Sequence, residues 1–204
     1  EPHDWIAETC HALIRVNNIV NDLNNDMWMY IANDIFILKT IKDEVGSSTM
    51  PHKVNPIDFE NSEGNIGLAN SMLNFFAEKL PISRLQRDLS DSTTLRNIGV
   101  AFGYSVISYK STLKGLQKIT PNKNKINEEL DNNWIVLSEA VQTIMRLENI
   151  ENAYEKLKDL TRGKNLNKEQ YLEFVENLDV TQKNKDYLKS LNPRNYIGVA
   201  PKLK

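Results

Sequence analysis

Three scarcities narrow what this chain can be. It holds one cysteine, Cys10, among 204 residues, which excludes an internal disulfide and any site built from several thiolates. Such sparing use of cysteine fits a reducing compartment, and we expect a cytoplasmic protein. No run approaches the roughly 18 consecutive apolar residues of a membrane span. Positive charge is not in excess either: 25 Lys and Arg stand against 27 Asp and Glu, a formal charge of −2. A nucleic-acid or membrane-surface protein would show a basic stripe, so neither partner is expected. Strand-type alternation is also missing.

What is present is helical. Apolar residues make up 40% of the chain, enough for a real core, and the length allows one to two domains. Over 3–43, Ile6, Cys10, Leu13, Val20, Met27, Ile31 and Ile35 recur at mostly three-, four- or seven-residue steps. This predicts a helix, with a bend at the polar stretch Asn21–Asp26. Asn55 as cap, Pro56 at the first position and Asp58 in the first turn start a second helix, which Pro81 stops. After an irregular stretch, Ile82–Asp91, a long helix is predicted with Leu95, Ile98, Phe102, Tyr109, Leu113 and Leu116 on one face. Beyond Thr120-Pro121-Asn122 the helices shorten. Ile126, Leu130, Leu137, Val141 and Ile144 mark one, and 152–162 another, ending at Gly163. Asn167 with Gln170 forms a capping-box pattern for a third, and Thr181 caps a fourth. The tail from Pro193 reads as irregular. The predicted class is all-α: long antiparallel helices of a central bundle over 1–118, then a small helical C-terminal domain over 119–204. The 25 asparagines are assigned no function. Helices this long leave apolar surface that more sequence or partner subunits must cover.

The segment Gly46-Ser47-Ser48-Thr49-Met50-Pro51-His52-Lys53-Val54-Asn55-Pro56 interrupts the helical pattern and concentrates unusual chemistry. It offers two hydroxyls, a cation and a helix N-terminus, where N–H groups favour an anion. A carboxylate held there would acidify the proton on the neighbouring carbon, and preorganised positive groups would stabilise the charge that develops. A serine acts as base only if its alkoxide is stabilised, and Lys53 and loop amides are the available stabilisers. On residue types alone, a capped loop with satisfied serines is the simpler account of the segment.

The full string resembles the signature of the fumarase/aspartase superfamily, roughly Gly-Ser-Ser-x-Met-Pro-x-Lys-x-Asn-Pro, with every fixed position filled. Members of that superfamily release fumarate from a substituted succinate. A second segment runs from Arg84 to Asn97. Its hydroxyl cluster lies between Arg87 and Arg96 at a predicted helix start, and Ser92 and Arg96 are spaced i, i+4. Arginines, hydroxyls and a helix N-terminus suit a phosphate. A salt-bridged cap, with Asp88 and Asp91 neutralising the arginines, uses the same residues. Together with Glu60–Asn65 (ENSEGN) and the tail from Tyr154 through Tyr196-Ile197-Gly198, this segment resembles the adenylosuccinate lyase family of bacterial type, over essentially the whole chain.

That resemblance implies a role for each matching position. Ser47 corresponds to the general base that removes a β-proton of the succinyl group, and Ser48 to a substrate-binding serine. Lys53 and Asn55 correspond to residues holding the succinyl carboxylates. Glu60 corresponds to a glutamate orienting the catalytic acid, and Asn61 to a nucleotide-site residue. Arg87, Ser92, Thr93, Thr94 and Arg96 correspond to the phosphate-binding group. The implied reaction breaks a C–N bond by β-elimination, giving AMP and fumarate from adenylosuccinate, and also acts on the succinylated imidazole carboxamide ribotide of purine synthesis. No metal or organic cofactor is implied. A homotetramer is, with each active site drawing on three subunits.

Elimination also needs an acid for the leaving nitrogen. His3, His11 and His52 do not match the family's acid, a histidine from an earlier part of the chain. The chain opens on Glu1 and reads as the C-terminal half of a longer protein, without its N-terminal domain and the first part of its bundle. Alone, it is expected to be inactive. Two alternatives remain at this stage. One is a sibling lyase acting on argininosuccinate or malate; the other is a non-catalytic helical assembly module.

Overall fold

A computed structural model describes residues 3–39, 55–85, 88–152, 155, 157–158 and 166–203. They divide into two compact units, Glu1–Asn122 and Lys123–Lys204.

The first unit is built on three long helices. Helix α1 spans Asp4–Ala32 and runs unbroken through Asn21–Asp26, where a bend was predicted. Asn24 is 1% exposed there and bonded to its neighbours, so the polar stretch is part of the packed face. The helix stops earlier than its apolar spacing predicts. Asp34 adopts a left-handed φ of 59°, and the Ile35 N–H reaches back to the Tyr30 carbonyl at 2.9 Å, the 6→1 closure of a Schellman end. Ile35 is therefore outside the helix. Strand β1, Phe36–Leu38, follows and pairs antiparallel with β2, Ile119–Pro121, setting Phe36 opposite Pro121 and Leu38 opposite Ile119. Apart from this short pair, the described chain is helical or irregular, in line with the all-α expectation.

Helix α2 spans Ile57–Lys79, with Pro56 at the N-cap position and no side-chain cap bond. Asn55 thus lies one residue outside the cap it was expected to provide. The long helix predicted beyond Asp91 is two. Asp88 caps α3, Leu89–Leu95, by accepting from the Ser90 amide, and α4, Ile98–Lys118, follows after Arg96 and Asn97. Asn97 turns its amide to the Thr93 carbonyl at 3.0 Å instead of capping α4.

Side-chain pairs give the packing directions. Asn17 meets Asn70 and Asn24 meets Ser62, so α1 and α2 are antiparallel. Ser62 meets Thr112 and Asp58 meets Lys118, so α2 and α4 are antiparallel too. One end of this bundle is apolar, built from Ile6, Ala7, Cys10, Leu73, Phe76, Ala77, Leu80 and Ala101. Its middle is polar. Asn17 donates to Asn70 at 2.8 Å and Ser105 at 3.1 Å, and accepts from the Tyr109 hydroxyl. One layer on, Asn24 donates to Ser62 at 2.8 Å. Thr112 donates back to Asn24 at 2.8 Å, and the Ser62 and Thr112 hydroxyls share a third bond. The ring is closed, so each of its side-chain polar atoms has a partner.

The face of α4 that is buried is not the predicted one. Ala101, Ser105, Ser108, Thr112, Gly115 and Lys118 are buried, while Leu113 is 59% exposed and Phe102 is exposed as well. Small residues let the helices approach closely. At Gly115 a Cβ would lie 2.8 Å from the Phe59 ring.

The second unit comprises α5 (Lys123–Asp131), a 3-10 turn (Trp134–Leu137), α6 (Ser138–Leu147), α7 (Lys168–Glu176) and α8 (Gln182–Ser190). The single helix predicted through Ile126–Ile144 is thus broken at Asn132-Asn133. The helix expected over 152–162 lies mostly outside the described residues. Leu137, Val141, Met145, Tyr171, Val175 and Leu188 belong to the core of the second unit, and the Tyr171 hydroxyl donates to the Leu188 carbonyl at 2.8 Å. The capping box of Asn167 and Gln170 forms as read from sequence. Thr181 occupies the N-cap of α8, but its side chain does not cap. The Glu148 carboxylate does so from outside, accepting from the Thr181 amide at 2.8 Å and from Thr181 and Asn184 side chains. These bonds, the Thr181 hydroxyl first, hold the Glu148 carboxyl below its ordinary value. The tail after Pro193 is turns and one 3-10 turn, Ala200–Lys202. Among the described residues, no helix is long and apolar enough to cross a membrane.

Candidate active site

Ser47, Ser48, Lys53 and Arg87 lie outside the described residues. What the structure does describe is the frame on either side of the signature segment. Before it, β1 pairs with β2, and the Lys39 amide donates to the Lys118 carbonyl at 2.8 Å. After it, Asp58 in the first turn of α2 accepts from the ammonium of the same Lys118 and from Lys114, the latter at 3.2 Å. Asp58 and Lys118 are 8% and 5% exposed. One residue thus ties both flanks of the segment together, by its carbonyl and by its side chain. Burying such a pair is poor value as a stability device alone.

Glu60 and Asn61 sit at the head of α2, exposed. Each is held by a neighbouring helix. The Trp28 indole N–H of α1 donates to Glu60 Oε1 at 3.2 Å, and the Asn61 amide donates to the Ser111 hydroxyl of α4 at 2.6 Å. Asn65 donates to the Asn61 carbonyl at 2.8 Å and to its Oδ1 at 3.2 Å. The Asn24–Ser62–Thr112 ring lies directly beneath and fixes the register that brings Trp28 to Glu60. Sequence reasoning missed Trp28, Ser111 and Lys118. The available signal was position: Trp28 follows Asn24 by four residues, one helical turn along the same helix.

The other cluster is arranged differently from expectation. Ser92 and Thr93 lie within the seven-residue α3, and Arg96 lies past its end, so the hydroxyls and Arg96 do not share one continuous helix. Ser92, Thr93 and Arg96 are exposed. Thr94 is buried and donates to the Ser90 carbonyl at 3.0 Å. Asp88 and Asp91 pair with Lys79, at 3.7 and 3.1 Å. Hydrogen bonds from the Ser90 hydroxyl and amide, with Lys79 and Arg84 nearby, hold the Asp88 carboxyl below the usual carboxylate range. The exposed hydroxyls and guanidinium are left facing solvent, a combination suited to an anion. Thr93 also lines a groove of about 380 Å³ with Ser71, Met72, Phe75, Phe76, Thr94 and Asn97.

The two clusters do not converge. The groove places Thr93 beside residues 71–76 of α2, and Asn61 lies 10 or more residues earlier on that helix. At 1.5 Å per residue this is about 15–20 Å. Among the described residues, no three His, Cys, Asp or Glu side chains group as a metal site would need.

This helical chain, with polar groups gathered where helix ends meet loops, falls in the lyase class by its match to two family models. The family profile described as "Lyase" covers residues 1–69. A second, "Adenylosuccinate lyase C-terminal", covers residues 83–197, and the chain belongs to that family. Relatives named adenylosuccinate lyase include one from Buchnera aphidicola subsp. Schizaphis graminum, 56% identical over 203 residues. Others come from Escherichia coli strain K12, 55% over 200 residues, and Haemophilus influenzae, 54% over 203. They match 98–100% of this chain, which spans 44% of each relative's own length.

Proposed function

We propose that the full-length protein carrying this chain is an adenylosuccinate lyase of purine biosynthesis. It eliminates fumarate from adenylosuccinate to give AMP, and treats the succinylated imidazole carboxamide ribotide in the same way. The observation that carries this reading is the intact signature, Gly46 to Pro56, in a chain of this family. The Ser47 alkoxide takes the β-proton of the succinyl group, and the electron pair of that C–H bond becomes the C=C bond of fumarate. The C–N bond breaks, and the leaving nitrogen takes a proton from an acid that this chain does not contribute. Lys53 and Asn55 hold the carboxylates and stabilise the charge that builds on the carbon. Ser48 binds substrate, Glu60 orients the acid, and Asn61 meets the nucleotide. Arg87, Ser92, Thr93 and Arg96 bind its phosphate. Thr94 supports that group from within, since its hydroxyl is bound to the backbone.

The protein works as a cytoplasmic homotetramer whose active sites are shared. The 15–20 Å between Asn61 and Thr93 supports sharing, because one chain does not bring the two clusters to one cavity. Exposed Ile19, Phe75, Phe102, Val106 and Leu113 on the long helices support burial by neighbouring copies. The test is adenylosuccinate turnover, followed by purine absorbance, for the full-length protein and its Ser47→Ala variant. We expect an active parent and a variant reduced by several orders of magnitude. A parent inactive on adenylosuccinate but active on a sibling substrate would replace this reading.

A further inference from the structure

We propose that Trp28 is a positioning residue for Glu60, holding one carboxylate oxygen so that the other faces the catalytic acid. The inference rests on the reading of Glu60 given above. The geometry is specific. Trp28 stands on α1 and Glu60 at the head of α2, 32 residues apart in sequence, and the indole N–H reaches Oε1 at 3.2 Å. A carboxylate at the first turn of a helix rotates freely unless something fixes it. An indole supplies one donor and no acceptor, so it takes a single oxygen and leaves Oε2 for another group. The register is not left to these two side chains. Asn24, one turn before Trp28, is locked to Ser62, two residues after Glu60, through the buried ring with Thr112. Trp28 is 47% exposed and Glu60 is exposed, so this bond contributes little to the core of the unit. Its effect is on the direction of a carboxylate.

The prediction concerns orientation, so kcat should fall while KM holds. In the full-length enzyme, Trp28→Phe removes the N–H and keeps an aromatic ring. Misaiming a catalytic contact has an effect on the order of tenfold or more. We expect kcat to drop about tenfold with KM within about twofold and an unchanged melting temperature. The second variant carries 3-benzothienylalanine at position 28, an indole isostere with sulfur in place of the N–H. It should behave like Trp28→Phe, and it keeps the proposal testable if Phe disturbs the fold. The discriminating measurement is a double-mutant cycle with Glu60→Gln. If Trp28 acts through Glu60, removing its N–H in the Glu60→Gln background changes kcat by less than about twofold. Wild-type kcat in the benzothienyl variant overturns the inference, and so does a tenfold loss that persists without the Glu60 carboxylate. Wild-type kcat in Glu60→Gln alone overturns the reading of Glu60 itself and the inference with it.

Discussion

At Gly115 the absence of a side chain lets α4 pass the Phe59 ring, where a Cβ would sit 2.8 Å from a ring carbon. Phe59 is 1% exposed and cannot swing into solvent. Gly115→Ala is expected to destabilise the chain by about 1–3 kcal/mol through overpacking, despite the helix propensity that alanine brings. For a protein of this size the melting temperature falls by about 2–4 °C per kcal/mol. Phe59→Leu in the same background should recover part of the loss, and no recovery would place the strain elsewhere. Glu148 gives a residue-scale prediction in pH. Its folded pKa is depressed by the Thr181 and Asn184 bonds, so its contribution is present above the unfolded value near 4.5 and is lost as pH falls through the lower folded value. Glu148→Gln should lower stability at pH 7 and flatten the acid-side decline below about pH 5. Urea midpoints across pH measure both, and parallel curves for the two proteins would contradict the assignment.

The elements differ in how openly the sequence announces them. Helix α2 was readable from Pro56 to Pro81, because proline punctuates a helix whatever the cap, and α7 from its Asn167/Gln170 box, because capping chemistry is local. The end of α1 was hidden because Asp34, not glycine, takes the left-handed position. The buried face of α4 was misread because burial was equated with bulk. Its true stripe, residues 101, 105, 108, 112 and 115, steps by four and three like any helix face, but in Ala, Ser, Thr and Gly. Asn17 and Asn24 follow Cys10 at intervals of seven and were passed over as composition. Of the candidate site, motifs singled out Glu60, Asn61, Ser92, Thr93 and Arg96 as candidates, while Trp28 and Ser111, which hold Glu60 and Asn61, belong to no motif. These polar layers set which residues of α1, α2 and α4 meet, and that gives a prediction. Asn24→Ala leaves the buried Ser62 and Thr112 hydroxyls short of a partner, a loss of about 1–3 kcal/mol. Replacing the whole ring, Asn24→Leu with Ser62→Ala and Thr112→Val, should be far milder for stability, since nothing polar stays buried unpaired. Denaturant unfolding of both variants tests this, and a triple variant weaker than Asn24→Ala would argue against the ring as the source.

At the scale of the molecule, one chain carries two parts of the proposed site and holds them apart. Glu60 and Asn61 cluster at the head of α2, while Ser92, Thr93 and Arg96 lie about 15–20 Å away along the same helix. The long helices meanwhile show apolar side chains outward and pack small and polar ones inward. Both facts fit the proposed assembly, in which the bundle of a single chain is a portion of a larger one and its outer faces are interior. If each active site takes the α2 head from one copy and the α3 segment from another, then Glu60→Gln and Arg96→Ala damage different halves. Each variant alone should be strongly impaired as the full-length enzyme. Unfolding and refolding the two together should give mixed oligomers in which some sites draw both intact halves. For random mixing that fraction is about a quarter of all sites, and turnover should return to about that share of wild type. Mixing without subunit exchange should give no recovery, which separates complementation from additive residual activity. Failure of refolded mixtures to exceed the two variants alone would mean that both clusters serve the same site from one chain, and the separation measured along α2 would then have to be closed by the residues between them.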